Sequence, residues 1–317
     1  MLTPAPHGCT SDVMRLGCWL AGLAALLFPS VLEASVDPAC DLDADGVVDE
    51  YDPALWSEAR QQSNMLNFFG MSLSYSPLRA PASLRPARTE ARLALSYVPS
   101  LTCLERSVFN GQKTENTNKS PVIPQLRVSV GLPAGFFVGL TGIPPVTMFG
   151  VKAGMIGAEL GFAHQLASGL QVGIRGTAQG ARIEGDLAGP FEGQEAENDI
   201  YRASVYAVEG MMGQSLAAHP RGATLVPYVG VGYSRVIALM YVGESLPDDF
   251  DETDPNQATV PSAGNDAIAQ GLYSGLHLQL GVEAEHNGVE ASFELAVVPL
   301  GFRTLISPRF ALGYRFF

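Results

Sequence analysis

Residues 276–295 read LHLQLGVEAEHNGVEASFEL, and this stretch decides the fold. On both sides of Asn287-Gly288, apolar residues alternate with residues that are mostly polar or glycine. A period of two puts alternate side chains on opposite faces of a β-strand, and Asn-Gly between two such runs indicates a tight hairpin turn. The stretch therefore predicts two antiparallel strands, each with one apolar face and one polar face.

The same alternation recurs along most of the chain, as in ARLALSY at 91–97 and LRVSVGL at 126–132. The predicted strands are 87–98, 123–132, 135–142, 149–164, 170–184, 199–214, 223–240, 267–286, 289–300 and 306–317. These ten segments are an even number, as single-chain bacterial barrels require. With an even number, both ends of the barrel wall lie on the same side, and the long linkers lie on the other.

Segment 66–76 also alternates, and it leaves several alternatives open. It is either an extra strand of a barrel with about 12 strands or a lead-in that enters the lumen. Merging 123–142 into one strand across Pro133 would restore ten strands with 66–76 included.

Two features favour a membrane barrel over a soluble secreted β-sandwich, which would show the same period and is the alternative. Segments such as 223–240 and 267–286 exceed the usual strand of about 5–6 residues and reach the roughly 9–11 residues of a tilted membrane strand. Connections also alternate between tight turns, such as 287–288, and long polar linkers, such as 244–266. This alternation is typical of membrane barrels.

Composition excludes several classes of protein. The chain has 317 residues, of which 47% are hydrophobic and 16% charged, with a net charge of −13. Charged residues make up about 25% of soluble domains, so charge is scarce here, as expected if half of every strand faces lipid. The apolar content excludes a disordered chain, and the acidic balance excludes nucleic acid as a partner.

The N-terminal region has the order of an export signal. Arg15 precedes the apolar run 16–28, and small residues follow at Ala34 and Ser35. This predicts a cleaved signal peptide over 1–34, with Met14 as an alternative start. The remaining chain divides into a periplasmic N-terminal segment, 35–65, and a barrel, 66–317.

The chain ends in FALGYRFF at 310–317, and PYVGVGY at 227–233 is a further strand of similar type. Together with the signal peptide and the period-two strands, these segments resemble bacterial outer-membrane β-barrel proteins. The resemblance implies an all-β, transmembrane, antiparallel up-and-down barrel of about ten strands, with 8–12 as the range. It also implies location in a Gram-negative outer membrane, with lipid and the barrel-assembly machinery as partners. The implied assembly signal is Tyr314, Phe316 and Phe317, in which Phe317 adds one residue to the usual spacing.

If apolar residues face lipid, the polar residues between them line the lumen. The predicted lumen-lining residues are Arg92, Arg127, Lys152, Arg175, His277, Gln279, Glu283, Glu285, Glu290 and Glu294. Closure of the sheet brings the basic first strands near the acidic last strands. Two functions follow: ion pairs that close a narrow, structural or surface-interacting barrel, or a porin-like polar path for a small solute. About eight strands give a filled barrel and 16–18 an open channel, so ten strands do not decide between them.

Cys40 and Cys103 remain after removal of the signal peptide. With ten strands counted from residue 87, the two cysteines lie on opposite sides of the membrane and cannot pair. The merged-strand alternative would bring them to the same side and permit a disulfide.

Residues 41–52, DLDADGVVDEYD, have the spacing of a twelve-residue calcium loop. The predicted ligands are Asp41, Asp43, Asp45, the Val47 carbonyl, Asp49 and Asp52, with Gly46 at the sharp turn. Asp52 stands where an EF-hand has Glu, and in this the loop resembles dockerin and thrombospondin type 3 repeats. The alternative is a solvated acidic linker without calcium.

No residue pattern predicts an enzyme. The histidines after the signal peptide are His164, His219, His277 and His286. None lies in a sequence arrangement of nucleophile and carboxylate known from barrel enzymes, and phosphate-binding and zinc spacings are missing from the sequence. We expect His164 and His277 to line the barrel.

Overall fold

The computed structural model describes residues 40, 42–43, 47–49, 51–52, 56–74, 79–81, 86–108, 113–114, 121–148, 151–185, 199–218, 223–241 and 268–316. Its barrel strands are β1 Thr89–Tyr97, β2 Val122–Gly131, β3 Phe136–Met148, β4 Val151–Gln165, β5 Leu170–Gly185, β6 Asp199–Gln214, β7 Ala223–Tyr241, β8 Ile268–His286, β9 Val289–Pro299 and β10 Thr304–Phe316. A short strand Leu216–Ala218 extends the sheet beside β7, and Ser107–Val108 pairs with Lys113–Thr114 in a small separate hairpin.

The ten strands close into one antiparallel barrel. Each strand pairs with its neighbour in the chain, and β10 returns to pair with β1 from Thr89↔Phe316 to Ser96↔Arg309. The prediction of a closed all-β barrel of ten strands is confirmed. The sandwich alternative is wrong, because a single closed sheet forms the wall.

Short turns lie at one end of the barrel, which we call the short-turn end. Between β2 and β3, Ala134 and Gly135 have φ values of 60° and 86°. A Cβ on Gly135 would lie 2.5 Å from the Ala163 carbonyl oxygen, so only glycine fits. This turn separates β2 from β3 and makes the merged strand 123–142 wrong. At the opposite, long-linker end, residues 98–121, 186–198 and 242–267 join the strands.

The predicted extra strand at 66–76 is also wrong, because helix α1, Glu58–Ser72, includes most of it. Leu66, Phe68 and Met71 are buried against inward residues of β6 to β8. Of the alternating residues, Phe69 and Met71 lie in the helix, Leu73 follows its end, and Tyr75 lies outside the described residues. The alternative of a lead-in that enters the lumen describes what the structure has.

The N-terminal segment passes through the barrel from one end to the other. Cys40 forms a disulfide with Cys103, which follows β1 at the long-linker end, and their Cα atoms are 5.5 Å apart. After α1 the chain continues toward the short-turn end. There the Ala80 amide donates a hydrogen bond to Glu283 Oε2 at 3.2 Å, and Ala80 packs on Val226 and Tyr228. The prediction that the cysteines lie on opposite sides is therefore wrong, because the chain threads the lumen before β1 begins.

Among the described residues, no helix is long and apolar enough to cross a bilayer.

Candidate functional site: the filled lumen

The first group of lumen charges surrounds Arg92 on β1. Its guanidinium pairs with Glu90 on the same strand, with Glu283 on β8 at 3.0 Å and with Glu290 on β9 at 2.5 Å. Arg315 on β10 also pairs with Glu290. Buried charges are tolerated only when opposite charges and hydrogen bonds compensate them, so this cluster ties the closing seam of the barrel to β8 and β9.

A second group lies across β5, β6 and β8. Glu209 pairs with Arg175, lies 2.8 Å from His277 Nε2 and accepts a hydrogen bond from Gln279 Nε2 at 2.6 Å. The Arg175 guanidinium also donates to Gln279 Oε1 at 3.1 Å. The group joins three strands through side chains that are each buried.

A third group joins the N-terminal segment to the wall. Glu294 accepts a hydrogen bond from Tyr228 Oη at 3.0 Å, and its other oxygen lies 3.7 Å from Arg309. Arg309 in turn donates to Ser74 Oγ, just after α1, at 3.3 Å. On the other side of the barrel, Arg127 pairs with Glu159. The segment is thus held by polar contacts as well as by packing.

Ser234, His277 and Glu209 have the pairwise contacts of a hydrolytic triad. Ser234 Oγ lies 3.0 Å from His277 Nδ1, and His277 Nε2 lies 2.8 Å from Glu209. The three residues are only 1%, 5% and 2% exposed. A substrate would therefore reach Ser234 only if the lumen contents moved.

The structure places most of the predicted lumen residues inside the barrel. The buried ones are Arg92, Arg127, Arg175, His277, Gln279, Glu283, Glu290 and Glu294. Glu285 lies at the short-turn rim, where it pairs with Arg315 at 2.7 Å. Lys152 was predicted wrongly: it shares the outward face with Ile156 and Leu160, and pairs with Glu184 at 3.7 Å. His164 is also exposed on that face, contrary to expectation.

Several lumen residues escaped the sequence analysis. Glu90, Glu159, Glu209, Ser234 and Arg309 all line the interior. Their orientation could be predicted from the sequence, because each faces the opposite way from the exposed apolar residues of its strand. Arg79 belongs to the N-terminal segment, and its position 3.8 Å from Glu90 depends on the threading, which local periodicity does not report.

Only part of the calcium-like loop belongs to the residues that the structure describes. Asp43, Val47, Asp49 and Asp52 are described, whereas Asp41, Asp45 and Gly46 lie outside the described residues. Asp49 Oδ2 accepts a hydrogen bond from the Leu42 amide at 2.8 Å, and Val48 is buried beside Cys40. The described residues contain no group of three or more metal-ligating side chains. Calcium binding stays a prediction.

The outer wall is apolar on every strand. Exposed apolar side chains include Leu93, Leu126, Leu140, Ile156, Ile174, Val208, Val231, Leu276, Phe293 and Phe310. Of the predicted assembly signal, Tyr314 and Phe316 are exposed outward with ring centroids 4.9 Å apart, and Phe317 lies outside the described residues. The outer wall is therefore apolar, whereas the charged residues of the strands lie mostly inside the barrel.

No protein-family model and no curated protein matches the chain. Solved β-barrels do. The β domain of the Bordetella autotransporter BrkA is 14% identical, with a TM-score of 0.38, over 73% of this chain and 99% of that one. The translocator domain of the autotransporter NalP from Neisseria meningitidis is 11% identical, with a TM-score of 0.34, over 84% and 99%.

The attachment invasion locus protein Ail of Yersinia pestis is 10% identical, with a TM-score of 0.27, over 73% of this chain and 100% of that one. Identities of this size concern the barrel fold alone.

Proposed function

We propose that this chain is an outer-membrane barrel whose lumen is closed by its own N-terminal segment and by ion pairs, and that it acts as a structural, surface-interacting protein. The observation that carries the proposal is α1, which packs on inward residues of β6, β7 and β8. A helix of about 10 Å diameter, together with buried side chains, fills most of a ten-strand lumen.

The apolar outer wall supports the membrane location. Each strand contributes exposed apolar side chains, and the largest exposures, such as 71% for Ile156, are costly in water. A bilayer removes this cost. We place the long-linker end on the outer side of the membrane. It carries Cys40, the calcium-like loop that follows it and the acidic linker that leaves β7 at Tyr241, so this orientation replaces the predicted periplasmic location of 35–65. These acidic segments favour cationic surface partners.

Planar-bilayer recording tests the closed lumen. We expect the intact protein to give no stepwise current, and a variant lacking residues 56–74 to give discrete conductance steps. Heat-modifiable gel migration checks that both proteins are folded. Stepwise current from the intact protein would overturn the closed lumen and favour passage of a small solute.

A silent barrel can still pass hydrophobic molecules, so an uptake assay belongs beside the recording. We expect a deletion strain to take up hydrophobic solutes as fast as its parent. Slower uptake that the intact chain restores would favour a transporter. Recovery of the protein in the soluble fraction, without heat-modifiable migration, would overturn the membrane location.

A further inference from the structure

An outward groove of about 610 Å³ crosses strands β4 to β7. It is lined by two neighbouring rows of side chains that strand pairing places side by side. One row holds Ala178, Tyr206 and Arg235, and the next holds Gly176, Val208 and Tyr233. The groove therefore has small residues on its floor, tyrosine rings along one side and a guanidinium at its edge.

The floor of the groove is open. A Cβ on Gly176 would meet only the Ala207 carbonyl oxygen, at 4.0 Å, and a Cβ on Gly180, the next outward residue beyond Ala178, would meet no atom within 4 Å. Neighbouring outward positions carry larger apolar groups, such as Ile156 at 71% exposure. The lack of side chains on this part of β5 creates a depression in the apolar wall that can accept an extended hydrocarbon chain.

The groove reaches a charged outward residue on β7. On this strand the outward residues from Leu225 to Tyr233 are apolar, a span of roughly the 9–11 residues that cross a bilayer. Arg235 is the next outward residue toward the long-linker end and is exposed, and the apolar residues Ile237 and Leu239 follow it on the same face. On β5 and β6, the first charged outward residues are Arg182 and Arg202, which pair with each other in register, and Arg202 also pairs with Leu239. Arg235 therefore lies two outward positions nearer the short-turn end than these two arginines.

These arginines differ in their surroundings. Arg182 pairs with Glu184, and the Arg202 guanidinium carbon lies 6.0 Å from the Tyr241 ring centroid. Lys152, nearer the rim, shares Glu184 with Arg182. Within the described part of the chain, no carboxylate lies at ion-pair distance from Arg235. A cation at the edge of an apolar groove is complementary to an anion that carries a hydrocarbon chain, and the long arginine stem lets the guanidinium reach toward the membrane surface.

We propose that this groove binds a phosphate-bearing anionic lipid, with one acyl chain over Gly176 and Ala178 and the phosphate on the Arg235 guanidinium. Arginine suits this role because its planar donors contact two phosphate oxygens at once. Tyr206 and Tyr233 contribute apolar walls at interfacial depth, where tyrosine is favoured. The proposal rests on the proposed membrane location of the barrel.

The test compares lipid retention by the full chain. The protein is reconstituted in nanodiscs of equal phosphatidylglycerol and phosphatidylcholine with the same acyl chains, extracted in mild detergent and examined by native mass spectrometry. We expect the wild type to retain one phosphatidylglycerol in preference to phosphatidylcholine. Arg235→Gln should lower that preference about fivefold, the effect of one basic group near a membrane surface. Arg235→Lys should lower it less, because lysine keeps the charge and loses the second contact to the phosphate.

Two further variants separate the groove from general surface charge. Ala178→Leu fills the groove and should reduce retention of both lipids. Lys152→Gln removes an outward positive charge away from the groove and should leave the preference unchanged. The proposal is overturned if the wild type shows no preference, or if Lys152→Gln lowers it as much as Arg235→Gln does.

The experiment also keeps the two proposals apart. A barrel that inserts, migrates as a folded species and retains both lipids equally refutes the lipid site and leaves the membrane location intact. A chain that fails to enter the nanodisc bilayer refutes the membrane location.

Discussion

The hydroxyl of Tyr201 on β6 donates a hydrogen bond to the backbone carbonyl of Leu66 in α1, at 3.1 Å. Both residues are almost fully buried, at 3% and 1% exposure. The bond fixes the helix against the wall at a point where neither group can reach water. It also requires Tyr201 to keep its proton, because only the neutral phenol can donate to a carbonyl.

Tyr201→Phe should therefore destabilise the protein by about 1 kcal/mol, because one buried hydrogen bond is lost while the Leu66 carbonyl stays within the hydrogen-bond pattern of α1. Urea unfolding in detergent micelles measures the change. Tyr206→Phe is the matched control, since Tyr206 is 49% exposed on the outer wall and should lose at most about 0.5 kcal/mol. Equal losses in the two variants would contradict a special role for the Tyr201 bond.

Arg92→Met should cost about 3–5 kcal/mol, because it leaves Glu90, Glu283 and Glu290 buried without their shared cation. The same substitution at Lys152, on the exposed outer rim, should cost less than about 1 kcal/mol. A double variant with Glu290→Gln should recover part of the loss. Additive losses in the double variant would argue against direct coupling of the pair.

Replacement of Cys40 and Cys103 by serine should loosen α1 and leave the wall in place. The bond closes a loop with a sequence separation of 63 residues, for which loop entropy predicts about 4 kcal/mol of stabilisation. Hydrogen exchange should accelerate at amides of 58–72 and stay slow in β7 and β8. Uniform acceleration across the wall would show that the disulfide stabilises the barrel as a whole.

Calcium should bind the full chain with a Kd of about 10⁻⁴–10⁻³ M, as in extracellular calcium modules. Isothermal titration measures the heat, and a variant with Asp41→Asn and Asp45→Asn should give none. Glu244→Gln with Asp248→Asn, in the other acidic stretch, is the control for a general charge effect. Absence of heat at millimolar calcium in the wild type would refute the prediction.

The strands of the wall could be predicted from the sequence, because the direction in which each side chain faces depends only on its position within its own strand. Each strand alternates with a period of two, so β8 and β9 follow directly from the run that ends and restarts at Asn287-Gly288. The same parity places Arg92, Glu283 and Glu290 inside. It failed at Lys152, because the apolar neighbours Val151 and Ala153 resemble a lipid-facing pair in the sequence, whereas Ala153 lies on the inward side of β4.

The contents of the lumen could not be predicted in the same way. Helix α1 depends on contacts with Tyr201, Val236 and Gly271, which are distant in sequence and meet it only after closure. A short apolar run such as 65–71 satisfies both a helical and an extended pattern, and only the space available inside the barrel decides between them.

The path of the chain also limits how far α1 can leave the barrel. Cys40 is tied to Cys103 at the long-linker end, while the same segment leaves the barrel at the short-turn end to begin β1. With the bond intact, α1 is therefore tethered to the barrel on both sides. Residues 41–57 and residues 73–88, when extended, each reach roughly 50 Å, so either stretch can span the wall while the helix lies outside the opposite end. A partner that pulls α1 out of the lumen leaves it attached to the same barrel, and the helix can return when the partner releases it.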